Sequence, residues 1–245
     1  ESYLSSKKES LKVTSADELL SNNLIRLITR IIFIWFLKQK NMINNSFFDE
    51  TYLNTIIKDF KKGNNYYNAI LQNLFFATLN QHIKNRAFID EGDFETNKKQ
   101  YGVKTLFRYK DRFKIPESDV LKLFSDIPFV NGGLFECLDQ EYEKKEDGKS
   151  FVIYIDGFSR NPRKQAIIPD KLFFDEQISY QDLSRFGLNS KSSIRGLINI
   201  LSSYNFTIDE NTPQDLEVAL DPELLGKVFE NLLASYNPET KTTAR

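Results

Sequence analysis

The chain has one histidine and one cysteine, and neither has company. A general base needs an orienting partner and a nucleophile within hydrogen-bond reach. His82, in "NQHIKNR", has nothing local that supplies either, and reads as a surface or capping histidine near a helix C-terminus. Cys137, after "GGLFE", reads as a buried structural thiol. Together the two are too few for a Cys/His metal site, and a single cysteine cannot close an internal disulfide.

Three further patterns touch catalytic chemistry and fall short of it. Asp147-Gly148-Lys149 matches the second half of a nuclease pattern, in which carboxylates on adjacent strands hold a divalent metal and a lysine positions water. No upstream acid sits on a partner strand, and the triplet lies inside the charge run "EYEKKEDGKS". An adenine N6-methyltransferase needs an Asn/Asp-Pro-Pro-aromatic loop around a flipped base. Asn161-Pro162-Arg163 and Asn237-Pro238-Glu239 both lack the second proline and the aromatic. Gly132-Gly133, in "IPFVNGGLFE", lacks the glycine series and following Lys-Ser/Thr of a phosphate loop. That pair predicts a tight turn with a positive φ, with Phe129 and Phe135 as pegs in the core. No catalytic, cofactor-binding or metal-binding residue is assigned. The sharpest basic cluster is Arg160, Arg163 and Lys164, expected on a hairpin loop where it can touch DNA phosphates. A solvated loop is the plain alternative.

The elements that would position these residues are mostly helical. Ser15, Asp17 and Glu18 start a helix that runs to about Lys40 and is apolar on most sides, which predicts a place in the middle of a bundle. "FFDETYLNTIIKDFKK" predicts a second helix, with Phe48, Tyr52, Ile56 and Phe60 at four-residue spacing. "NNYYNAILQNLFFATLNQHIKNR" predicts a third, with Ile70, Leu74, Phe75 and Leu79 on one stripe. Residues 87–116 are polar and irregular, with two Phe and a Tyr as anchors, and "ESDVLKLF" is a short helix. "FVIYIDG" is the best strand signal, with "QAIIP" as its expected partner and "FSRNPRK" between them. Helical patterning returns at "SSIRGLINILSSY" and in the closing segment. There Asp221 caps, Pro222 fits the first turn, Glu223 suits the helix dipole, and Gly226 marks a close approach.

The expected fold is mainly α, a helical bundle-like connector domain with a small β-hairpin insertion. Its expected parts are an N-terminal extension at 1–14 and a helical domain at 15–170 with the β insertion near 150–168. A C-terminal helical subdomain at 171–236 and a polar tail at 237–245 follow. A net charge of −1 advertises no strongly basic nucleic-acid module. The most apolar run, "LIRLITRIIFIWFL", is interrupted by Arg26 and Arg30 and falls short of the roughly 20 residues a membrane span needs. No membrane partner is expected, and cysteine usage points to a cytoplasmic setting. The chain does not begin with methionine and has no signal-peptide pattern, as expected of a piece of something longer.

Three strings carry a family resemblance: "IPFVNGGLFE" (127–136), "IIPDKLF" (167–173) and "YNFTIDENTPQDLEVALDPELLGKVFENLL" (204–233). With their spacing, they resemble the region just upstream of the methyltransferase domain in type IIG-like fused restriction-modification enzymes, which join a nuclease to an adenine-specific DNA methyltransferase. The resemblance runs from about Ser15 and is densest after Tyr204. It implies that a Tyr-Thr-Pro segment opening the methyl-donor site would follow the "NPETK" tail. It implies S-adenosylmethionine and Mg as cofactors of the intact protein, none within this chain. The implied partners are double-stranded DNA and the intramolecular nuclease and methyltransferase domains. No catalytic residue of the family carries over to a position here. The reading from a different class is an independent helical protein-interaction module with no enzymatic role.

Overall fold

The computed structural model describes residues 16–90, 100, 102–130, 133–143, 150–176, 178–179 and 193–204, and these are mainly helical. Helix α1, Ala16–Gln39, runs 24 residues without Gly or Pro, so nothing interrupts its backbone ladder. It stops where Asn41 takes a left-handed φ of 57°. Met42 N then donates to Leu37 O at 2.9 Å and Asn41 N to Lys38 O at 3.0 Å. These are the two bonds of a Schellman cap, in which asparagine replaces the usual glycine. The helix does not lie in the middle of the bundle: Leu24 is 53% and Ile25 39% exposed, while Ile31, Ile34, Trp35 and Leu37 face the core.

The centre is instead Tyr66–Leu79, a 14-residue π-helix in which every residue is buried. A π-helix this long is unusual. Its i to i+5 alignment shows in Thr78, whose Oγ1 donates to Asn73 O at 3.0 Å. With no solvent face, the apolar stripe expected from the sequence has no polar counterpart. Buried Asn68, Gln72 and Asn73 spend their amides on the surrounding chain. Gln72 Nε2 donates to Asp156 O at 2.8 Å. Asn73 Nδ2 donates to Arg108 O, and Arg108 N donates back to Asn73 Oδ1, both at 2.9 Å.

The second helix is shorter than its spacing suggests. Phe48 ends a 3₁₀ turn, Asn45–Phe48. Helix α2 spans Glu50–Ile56, and the Asp49 side chain accepts from Tyr52 N at its start. Ile57 is already extended, because its neighbours pair with the irregular stretch: Lys58 N donates to Arg112 O and Lys114 N to Ile56 O. Tyr52 is exposed, which breaks the proposed stripe. Residues 87–116 are anchored by Phe88, Phe107, Tyr109 and Phe113, all buried. Helix α3, Glu117–Phe124, matches its expected span.

Strands β1, Gln140–Glu143, and β2, Ser150–Ile153, pair antiparallel, with Tyr142 opposite Phe151. The hairpin thus exists, but the partner of the "FVIYIDG" strand is the preceding "QEYE" rather than the following "QAIIP". "QAIIP" instead docks on the core, where Ala166 N donates to Gly157 O and Ala166 O accepts from Asn68. Helix α4, Lys171–Phe174, and helix α5, Leu197–Ser202, pack together beside a second short ladder, β3 Ile178–Ser179 with β4 Ser193–Ile194. A Cβ on Gly196 would stand 2.5 Å from the backbone of Phe173 and Phe174, so only glycine allows this approach. The expected closing helix with Gly226, the tail and the N-terminal extension lie outside the described residues. No described helix is long and apolar enough to cross a membrane.

Candidate nucleic-acid interface

Two buried carboxylates fix the segment that carries the basic cluster. Asp139 collects four consecutive amides: its Oδ1 accepts from Ile155, Asp156 and Gly157 N and its Oδ2 from Phe158 N, all between 2.7 and 3.0 Å. Asp156 faces the other way, toward α1. Its Oδ1 accepts from Arg30 Nη1 at 2.7 Å and lies 3.5 Å from Arg26 Nη1, and its Oδ2 accepts from Leu138 N. Arg30 also donates to Leu134 O and Glu136 O, each at 2.7 Å. Its guanidinium lies 4.9 Å from the Phe76 ring centroid, a distance at which cation–π attraction operates. Burial pushes the Arg26 pKa down to about 10, against the opposing pull of Asp156.

From this junction the chain turns outward through Gly157, whose φ is +62° and whose added Cβ would stand 2.5 Å from Ala166 N. The basic cluster follows β2, on the way to α4, rather than sitting in the hairpin turn. Arg160 Nη1 donates to Asp90 O at 2.7 Å, so its guanidinium is engaged with the chain. Asn161 caps a 3₁₀ turn, Pro162–Lys164, by accepting from Arg163 N at 3.0 Å. That capping role explains the Asn-Pro pair without catalysis. Gln165 Nε2 donates to Ser159 O, and its Oε1 accepts from Arg112. Arg163 and Lys164 are exposed. With Tyr154 and Gln165 they line an open depression of about 370 Å³.

The other singled-out residues are scattered. His82 is exposed, and its ring lies 3.9 Å from that of Phe129, centroid to centroid. Phe129 is therefore half-buried at the surface, whereas Phe135 is the core peg. Gly133 opens a 3₁₀ turn, Gly133–Phe135, without a left-handed φ, and its added Cβ would meet nothing within 4 Å. Gly133 therefore does not supply the positive φ expected of the pair. Gly132, like Asp147-Gly148-Lys149 and Asn237-Pro238-Glu239, lies outside the described residues. Cys137 is buried, and burial beside Asp139 and Asp156 pushes its thiol pKa up, which leaves it no nucleophile at neutral pH.

Among the described residues, no three His, Cys, Asp or Glu side chains converge to hold a metal ion. Asp139 and Asp156 are already filled by amides and arginines, so they do not fit Mg. The depression presents two cations, a poor match for the sulfonium of S-adenosylmethionine. No chemical step is derived through either group.

Comparison with known proteins gives one relative. A Methanocaldococcus jannaschii protein named "Putative type II restriction enzyme and methyltransferase" is 26% identical over 212 residues. The match covers 85% of this chain and 12% of that protein. The chain is thus distantly related to a protein named for restriction and modification. No family model matches, and no solved structure matches.

The sequence did not reveal the residues that organise the site. Arg26 and Arg30 stood out only as interruptions of an apolar run, although two cations one helical turn apart in such a run call for a buried acceptor. Asp156 was visible only as half of a turn signal. Nothing local marks Asp139, because its four donors lie 16 to 19 residues away.

Proposed function

We propose that this chain is a non-catalytic helical connector from a longer restriction-modification protein of type IIG-like organisation. In that protein it joins a nuclease portion to an adenine-specific N6-methyltransferase portion and holds their relative geometry on double-stranded DNA. The observation that carries the reading is the asymmetry of the match. It covers 85% of this chain but only 12% of a relative named as both restriction enzyme and methyltransferase. The described interior supports it, because the buried carboxylates Asp139 and Asp156 are taken up by backbone amides and arginines. S-adenosylmethionine and Mg would act in other portions of the longer protein.

The test is to express the full reading frame that contains this chain and assay labelled methyl transfer to adenine in duplex DNA, with Mg-dependent cleavage alongside. Transfer by the full product and none by the 245-residue chain is the expected pair of results. Transfer by the chain alone would sink the connector reading. A full product that transfers nothing would favour the independent interaction module.

A further inference from the structure

We propose that Arg163 and Lys164, without Arg160, form a DNA-backbone clamp that reads no sequence and holds phosphates of a duplex against the depression beside Tyr154. The proposal rests on the restriction-modification reading for its occupant, double-stranded DNA, and on the geometry for its residues. In the segment from Ser159 to Gln165, the polar side chains divide cleanly. Ser159 Oγ accepts from Asn161 N, Asn161 Oδ1 from Arg163 N, and Gln165 bonds both Ser159 O and Arg112. Arg160 reaches back to Asp90 O, 70 residues away in sequence. These bonds stiffen the turn, and the one from Arg160 ties its guanidinium to the chain. Arg163 and Lys164 are exposed and line the open depression, and neither side chain has a hydrogen-bond or ion-pair partner among the described residues.

That division is what a backbone contact needs. A guanidinium donates a planar fork to phosphate oxygens, while an ammonium acts as a mobile point charge. Placing both on a turn already fixed by Asn161, Gln165 and the Gly157 bend lowers the ordering cost of binding. Because phosphates are the same at every step, such a contact positions the duplex without specifying it. Near-neutral overall charge supplies no large additional attraction, so affinity should be weak and strongly salt-dependent.

The experiment measures binding of the full 245-residue chain to two duplexes of unrelated sequence, by fluorescence anisotropy across a range of salt. It compares the parent with R163Q/K164Q and with R160Q. The double variant should lose about tenfold or more in affinity at low salt, equally on both duplexes. Its log–log salt slope should fall by about one to two, since each phosphate contact contributes roughly 0.9. Its thermal midpoint should not move. R160Q should lower the thermal midpoint and leave the salt slope unchanged. An unchanged slope in R163Q/K164Q, a loss confined to one duplex, or no measurable DNA binding by the parent would each overturn the clamp. Displacement of DNA by polyglutamate at equal charge would overturn it too, by showing a general anion site. None of these outcomes bears on methyl transfer by the full reading frame, so the clamp and the connector reading fail separately.

Discussion

Arg30 and Arg86 are both drawn into the structure, and they are satisfied by opposite chemistry. Arg30 is fully buried and spends its guanidinium on a carboxylate, Asp156, plus two carbonyls. Arg86 is half-buried and meets no carboxylate among the described residues. Its nitrogens donate to five carbonyls, those of Thr78, Gln81, Phe124, Ser125 and Ile127, at 2.8 to 3.4 Å. Thr78 lies in the last turn of the π-helix and Phe124 ends α3, so Arg86 places one positive charge on two helix C-termini, where orphan carbonyls and the dipole both favour a cation. The contrast shows what each environment demands. At Arg30, full burial is matched by a counter-charge. At the rim, enough peptide dipoles serve instead, although burial still lowers the Arg86 pKa.

The strongest way to break this contrast is to remove the counter-charge. Asp156→Ala leaves Arg26 and Arg30 buried without a carboxylate and should cost about 3–5 kcal/mol, read from urea unfolding by circular dichroism. A loss below about 1 kcal/mol would mean that carbonyls suffice at Arg30 as well, since an unpaired buried charge normally costs far more. Arg86→Ala should cost less, about 2–3 kcal/mol. Arg86→Lys should recover under half of that, because one ammonium cannot reach five carbonyls. Full rescue by lysine would reduce the site to charge alone. Gly157→Ala should cost about 1–3 kcal/mol, through a left-handed φ that also drives Cβ into the Ala166 backbone.

The smallest effect is a pH dependence at Asp170. Burial raises the pKa of its carboxyl, despite amide donors from Tyr66, Lys61 and Asn65 that pull it down. The folded chain therefore holds the proton more tightly than the unfolded chain, whose value is about 3.9. Stability from this group is full below that value and is lost as pH rises through the folded pKa. Urea midpoints of the parent, compared with Asp170→Asn between about pH 4 and 6, should show the parent losing ground as pH rises. An advantage for the parent that grows with pH would mean that the amide donors outweigh desolvation.

What was legible in the sequence follows the same division between local and distant causes. Helix α1 ended within a residue of its expected limit, because a long apolar pattern without Gly or Pro is a local signal. Helix α3 is local in the same way. The π-helix was visible as a helix but not as the centre, because a segment buried all round has no polar face to give it a period. α2 was overextended because Phe60 keeps helical spacing while its backbone neighbours are claimed by residues 112–114. The hairpin was misassigned because the charged string "QEYE" looks like a solvated loop. At the site, the three cations were legible as charge. The engagement of Arg160 was not, because its acceptor, Asp90, is set by the tertiary fold.

Asp170 also sets a schedule. Its carboxylate accepts the first amide of the π-helix, Tyr66 N, across 104 residues of sequence. A chain made from its N-terminus lacks that acceptor while the central helix is emerging. At bacterial-to-eukaryotic synthesis rates, the interval between the two residues is roughly 5–20 s. Over that time the central helix waits uncapped, beside a hairpin and a basic turn that have not yet been made. Collapse of this core is therefore a late event in synthesis, and a ribosome paused between residues 80 and 165 holds out a helix that the finished fold buries on every side for chaperones to cover.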